Sequence, residues 1–214
     1  VNGVNPWLAC GLAIVAGGLA GMLTAWMHVS LKILQLLAGI LVMVALYSVN
    51  LRIMGSPNVP LIGEPSVYSG FIGDKFDNQY WIQPLVILGF VIAAKFLMDW
   101  FFSTQTGLAM RATGANARMA RAQGVATNKM VILGMALSNG LIALGGALFV
   151  QTQGGADISI GIGTIVIGLA AVIIGETLIP SKKFLIITLS VVVGAVLYRL
   201  FIALALGSET LRNI

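Results

Sequence analysis

Three observations predict an all-α fold: a polytopic bundle of about six transmembrane helices. First, 58% of the 214 residues are hydrophobic and only 9% are charged, where a soluble domain is about 25% charged. The mean hydropathy is +0.99. Second, the apolar residues come in long uninterrupted runs, without the alternation that a β-barrel requires. Lipid permits only helices or closed barrels, because any other backbone would carry unpaired N–H and C=O groups into hydrocarbon. Third, Lys and Arg gather in alternate connections, which gives every run a consistent orientation.

Six runs reach, or nearly reach, the length that spans about 30 Å of hydrocarbon at about 1.5 Å per residue. The first extends from Leu8 to Met27, the second from Leu31 to Asn50 and the third from Ile82 to Phe102. The fourth covers Met130 to Gln151, the fifth Ile162 to Leu178 and the sixth Phe184 to Leu206. Trp7 and Trp26 bracket the first run, and Trp81 and Trp100 the third. Each pair is spaced to place its indoles at opposite interfaces, where an amphipathic ring is most stable.

The connections then set the orientation. His28 and Lys32 lie between the first and second runs, Arg111, Arg118, Arg121 and Lys129 between the third and fourth, and Lys182 and Lys183 between the fifth and sixth. The second-to-third connection sets Arg52 and Lys75 against Glu64, Asp74 and Asp77, and the fourth-to-fifth holds only Asp157. The basic connections are therefore expected in the cytoplasm and both chain ends outside. On this reading the net charge of +5 reports topology and not a nucleic-acid partner. Cys10 stands alone, which leaves no disulfide framework or cysteine metal cluster. The chain opens on Val1 without Met or a cleavable signal, and reads as truncated at both ends.

Four segments are candidates for function. The stretch GLAMRATGANARMARAQGV, Gly107 to Val125, is Ala-rich, carries Arg118 and Arg121 at i and i+3, and has no acidic residue. It reads as a short helix along the cytoplasmic surface, with Gly114 and Gly124 as its ends. Two roles fit it: an anchor on anionic lipid headgroups, or a docking helix for a soluble partner. In the fifth run, Gly161, Gly163, Gly168 and Gly175 follow Asp157. Such glycines let helices approach closely, or permit a broken helix whose polar ends line a pathway.

The third segment is the long second-to-third connection, with three of the six prolines. Asn58, Pro60 and Glu64 make it either an ordered external loop or a docking surface for an external binding protein. Fourth, Arg199 lies toward the outer side of the last run, where it either snorkels to headgroups or lines a pathway. His28 is expected to be exposed at a loop edge. Gly17, Gly21 and the stretch from Asn139 to Gly146 suit close helix crossings in a compact bundle, possible also as a dimer.

Energy-converting chemistry is missing from the sequence. There is no GxxxxGK[ST] phosphate loop, so nucleotide is not held here in the usual P-loop manner. There is no cluster of carboxylates like those of many proton-coupled carriers. Lys95 and Asp99, four residues apart, form a local ion pair more readily than a proton relay.

The stretches LAGILVMVALYSVNLRIMGSPNVPL, GLAMRATGANARMARAQGV and ADISIGIGTIVIGLAAVIIGETL together resemble the permease subunits of ABC importers of the branched-chain amino acid and ribose type. Within that type the resemblance is to the subgroup paired with tryptophan- or tyrosine-binding lipoproteins or uncharacterised solute-binding proteins. It covers essentially the whole chain, 1–214, as one permease domain. The resemblance implies a second permease copy, a cytoplasmic ABC ATPase subunit that holds ATP and Mg, and an extracytoplasmic solute-binding protein, all at a bacterial inner membrane. No cofactor and no enzymatic step belong to this chain itself. The region 107–125 resembles the family's coupling helix, which would place Arg111, Ala112, Gly114, Asn116, Ala117, Arg118, Arg121 and Gly124 in or beside the ATPase contact. An amino acid is the solute the resemblance suggests, with a sugar or nucleoside as alternatives. A secondary transporter or channel without an ATPase is the competing class, but matched broken helices in two halves are not evident.

Overall fold

The computed structural model describes residues 5–61, 63, 66–68, 79–181 and 183–207. Among the described residues, eight helices and two short strands follow in the order α1 (Pro6–Leu31), α2 (Gln35–Met54), β1 (Asn58–Pro60), α3 (Gln79–Ser103), α4 (Gln105–Ala115), α5 (Ala117–Ala122), α6 (Thr127–Gln153), β2 (Gly155–Asp157), α7 (Ile160–Leu178) and α8 (Phe184–Gly207). All six expected spans are thus helices, and five of them contain a stretch long and apolar enough to cross a membrane. The sixth, α7, has 19 residues, about 28 Å at about 1.5 Å per residue. It is one continuous helix, so the broken form allowed by its glycines is not the one adopted.

The chain divides into two compact units, Val1–Ala94 with Trp100–Ile158, and Lys95–Asp99 with Ser159–Ile214. In the first unit, α1 starts where Asn5 Oδ1 accepts the Trp7 amide at 3.1 Å and Pro6 occupies the first helical position, where its missing N–H costs nothing. It ends at Lys32, which takes a left-handed conformation with φ 57°. His28 Nδ1 donates to Ile33 O at 2.8 Å, closing the short turn into α2.

The central packing of this unit is α1 against α6. A Cβ on Gly17 would lie 2.6 Å from Asn139 O, one on Gly21 2.9 Å from Asn139 Cβ, and one on Gly140 3.3 Å from Ile14 O. The two backbones therefore touch. Dispersion between close backbones can hold helices where lipid removes the hydrophobic drive. Both small-residue stretches expected to suit close crossings do so, and the structure pairs them with each other. Gln35 Nε2 donates to Met135 Sδ at 3.2 Å, joining the start of α2 to the same end of α6.

The opposite end of the unit carries an antiparallel ladder, Asn58 with Asp157, Val59 with Ala156 and Pro60 with Gly155. Leu61 N and Ile158 N extend it by bonds to Gly154 O at 2.8 Å and Pro57 O at 3.0 Å. Residues 28–35 and 127–135 thus lie at one end, and 57–61 and 154–158 at the other. That is the parity of the basic and basic-poor connections.

In the second unit, α7 and α8 cross on glycines. A Cβ on Gly194 would sit 2.6 Å from Gly175 N, and one on Gly175 would meet Ser190 C at 2.7 Å. Ser190 is 1% exposed, and its Oγ donates to Ile187 O in its own helix.

Candidate functional site: the basic two-helix element

The segment between α3 and α6 is two helices, not one. Thr104 starts the first of them: its Oγ1 accepts the Gly107 amide at 3.3 Å and donates to Phe101 O at 2.6 Å. A Cβ on Gly107 would stand 3.0 Å from Phe101 C and 2.5 Å from Phe102 Cα. Only glycine lets α4 fold back this tightly on the end of α3.

α4 ends at Asn116, whose φ of −156° and ψ of 96° break the helical path. Asn116 Oδ1 accepts the Met119 amide at 3.0 Å and so caps α5, as short polar side chains do at helix starts. Gly114 therefore does not end the helix, as the sequence suggested; it lies inside α4. Glycine permits a turn, but an asparagine side chain stabilises one by replacing a lost backbone partner. Gly124 does close α5, with φ 82° and its amide bonded to Arg121 O at 3.0 Å.

The element is fastened to α6 along one side. Arg121 Nη2 and Nε donate to Thr127 Oγ1 at 2.9 and 3.3 Å, and Thr127 is 4% exposed. Gly134 brings α6 within reach of Met110 Sδ, which a Cβ there would meet at 3.4 Å. Thr113 and Ala120 are buried. Along the other side Arg111, Ala112, Gly114, Asn116, Ala117 and Arg118 are all exposed, as are Leu108 and Met119. Arg121 is exposed as well, but its guanidinium is bonded to Thr127, so it both fastens the element and contributes to its basic surface with Arg111 and Arg118. Thr104, Gly107 and Thr127 were missed from sequence, although Thr104 and Gly107 have the spacing of a helix cap.

The other candidates are dispersed. Asp157 is half-buried in β2, opposite Asn58. Gly161 and Gly168 are exposed, with open space where a Cβ would go, whereas Gly175 is used in the crossing with α8. Gly163 lies in α7, and its surroundings fall outside the described residues. Arg199 is exposed on α8, and Asn58 and Pro60 are exposed on β1. Glu64 lies outside the described residues.

A cluster at the ladder end of the first unit was not foreseen. Val67 and Tyr68 are 1% and 2% exposed. Val67 N donates to Gln151 Oε1 at 2.8 Å, and Gln151 Nε2 lies 3.4 Å from Cys10 Sγ. Tyr68 OH lies 3.0 Å from Thr152 Oγ1 and 3.2 Å from Leu148 O. Val67 packs with Cys10, Leu148, Phe90 and Leu144. Beside them, Phe90 and Ala94 of α3 and Leu144 and Leu148 of α6 line an apolar cavity of about 370 Å³.

Comparison with known proteins places this architecture. Residues 1–209 match the family described as the permease component of branched-chain amino acid transport systems. A tyrosine transport system permease protein of Clostridioides difficile (strain R20291) is 40% identical over 209 residues, covering 96% of this chain and 68% of the relative. An uncharacterised protein of Rickettsia prowazekii (strain Madrid E) is 37% identical over 165 residues, 77% of this chain and 56% of that protein. No solved structure matches the chain. Six apolar helices, an exposed basic element and a match along nearly the whole length together make this chain a multi-pass membrane protein of the branched-chain amino acid transport permease family.

Proposed function

We propose that the chain is the membrane-spanning subunit of an ATP-binding-cassette importer in a bacterial inner membrane, and that α4–α5 is its contact with a separate ATPase. The observation that carries this reading is the two-sidedness of α4–α5. One side is fixed to the ends of α3 and α6 by the Gly107 contact with Phe101 and Phe102, Met110 beside Gly134 and the Arg121–Thr127 bonds. The other presents Arg111, Gly114 and Arg118 to water. A segment that only bound headgroups would not need its helices joined so closely to two spans. ATP and Mg sit on the partner. When nucleotide closes the ATPase subunits, the element moves and takes α3 and α6 with it. That motion biases outward and inward states only through the difference in binding free energy between them.

Solute enters from the opposite side, delivered by a binding protein that docks on the β1 edge at Asn58 and Pro60. A second permease copy completes the pathway, with Asp157, Gly161, Gly168 and Arg199 as lining candidates. The aromatic amino acid named for the 40% identical relative is the solute to test first.

The decisive test is reconstitution of the full-length permease with its ATPase subunit. The space around Gly114 is open, so Gly114→Trp leaves the fold intact and blocks close approach from outside. Gly114→Trp and Arg118→Glu are expected to weaken ATPase binding by about 30-fold or more, the size of an interface hot spot, with unchanged amounts of permease in the membrane. Wild-type binding and wild-type L-tyrosine uptake in both variants would remove the proposal.

A further inference from the structure

Asp99 stands one turn from the end of α3, four residues before Ser103, and it is engaged twice. Its Oδ2 accepts the Lys95 ammonium in an i,i+4 ion pair, with side-chain exposures of 10% for Asp99 and 15% for Lys95. Its Oδ1 accepts Thr188 Oγ1 at 2.9 Å. Thr188 stands four residues after Phe184, the first residue of α8, so both groups lie about 6 Å inside their helices.

The ion pair by itself is explained by cost. A carboxylate at this depth must be paired, and a lysine one turn earlier does that within a single helix. The Thr188 bond is not needed for that purpose. It joins two helices far apart in sequence, and a threonine hydroxyl already has an acceptor in its own helix, here Leu185 O at 3.1 Å. What the bond adds is a tie between the turn of α3 at Asp99 and the turn of α8 at Thr188, both within the second unit.

We propose that Asp99 is a positioning residue that makes these two turns move as one body, so that a displacement of α4–α5 is passed to α8. The inference rests on the reading of α4–α5 as the ATPase contact. From Asp99 the chain runs through Trp100 to Ser103 as helix, then directly into the Thr104–Gly107 elbow, with no flexible spacer to absorb motion. Beyond Thr188, α8 is interleaved with α7 at Gly175 and Gly194, so α8 cannot shift without taking α7. α7 carries the exposed Gly161 and Gly168.

The test uses the full-length permease with its ATPase subunit, in a Cys10→Ser background with Leu204→Cys as a reporter on the exposed last turn of α8. Labelling by a membrane-impermeant maleimide is timed without nucleotide and after trapping with ATP and vanadate. Trapping is expected to change the labelling rate by about five-fold or more, the lower end of coupling between two sites. Thr188→Val should abolish that change while ATP hydrolysis persists, and Thr188→Ser should restore it. If Thr188→Val fails to accumulate, Lys95→Ala combined with Asp99→Ala removes the same link and is read the same way. A reporter that responds fully in the Thr188→Val protein overturns the inference, and so does a parent protein whose reporter ignores nucleotide. Failure of the ATPase to co-purify with the parent would instead overturn the reading of α4–α5, on a separate measurement.

Discussion

The two long connections of the first unit serve opposite ends of the same helices and are held in opposite ways. The basic element, from Thr104 to Thr127, is shaped by bonds between near neighbours. Thr104 to Gly107, Asn116 to Met119 and Arg121 to Thr127 are three to six residues apart. The connection at the other end is shaped by partners from remote parts of the chain: Val67 with Gln151, Tyr68 with Thr152, and β1 with β2. A connection folded by its own sequence can move as a unit without unfolding. One folded by its surroundings changes shape when those surroundings separate. The first property suits a lever, the second a surface that reports whether the spans beneath it are together.

Substitutions can break that contrast. Tyr68→Ala should have the largest effect, because truncating a fully buried aromatic residue costs about 3–5 kcal/mol. Here the loss falls on an anchor and not on a whole helix. The expected outcome is release of the remote-partner connection, read as faster maleimide labelling of Cys10, which is 4% exposed in the intact packing. Labelling equal to wild type would show that the ladder alone holds the connection.

Gly107→Val comes next. Its branched side chain collides with the Phe101–Phe102 backbone, and overpacking of this kind costs about 1–3 kcal/mol. The elbow should open and ATP hydrolysis should no longer respond to solute, while Cys10 labelling at the far end stays unchanged. A simultaneous rise in Cys10 labelling would mean that the two ends are not independently held.

Asn116→Ala is the smallest and sharpest case. Losing a helix N-cap costs about 1 kcal/mol, which raises amide exchange at Met119 about five-fold if opening is local. Exchange in α6 should not change. Protection lost along α6 as well would show that the basic element is not locally folded.

Much of this architecture was legible in sequence because membrane insertion acts on local composition. Any run of about twenty apolar residues satisfies its own backbone as a helix in lipid, so all six spans could be read without knowing a single contact. The basic element was legible as helical and exposed for the same reason. Its inner break was misplaced because Gly114 and Asn116 both signal turns, and the choice depended on which residue could supply a cap. The Gly17, Gly21 and Asn139–Gly146 stretches announced a crossing, since small residues have few other uses on apolar helices.

The sequence by itself therefore determined the fold class, the spans and the presence of an exposed basic element between the third and fourth spans. Tertiary structure alone decided that Gln151 holds Val67, that Asp99 reaches Thr188, that Gly175 packs while Gly168 stays open, and that β1 finds β2. The reason is that a polar group within a span has many possible acceptors at nearly equal energy. Only the arrangement of the neighbouring helices selects among them.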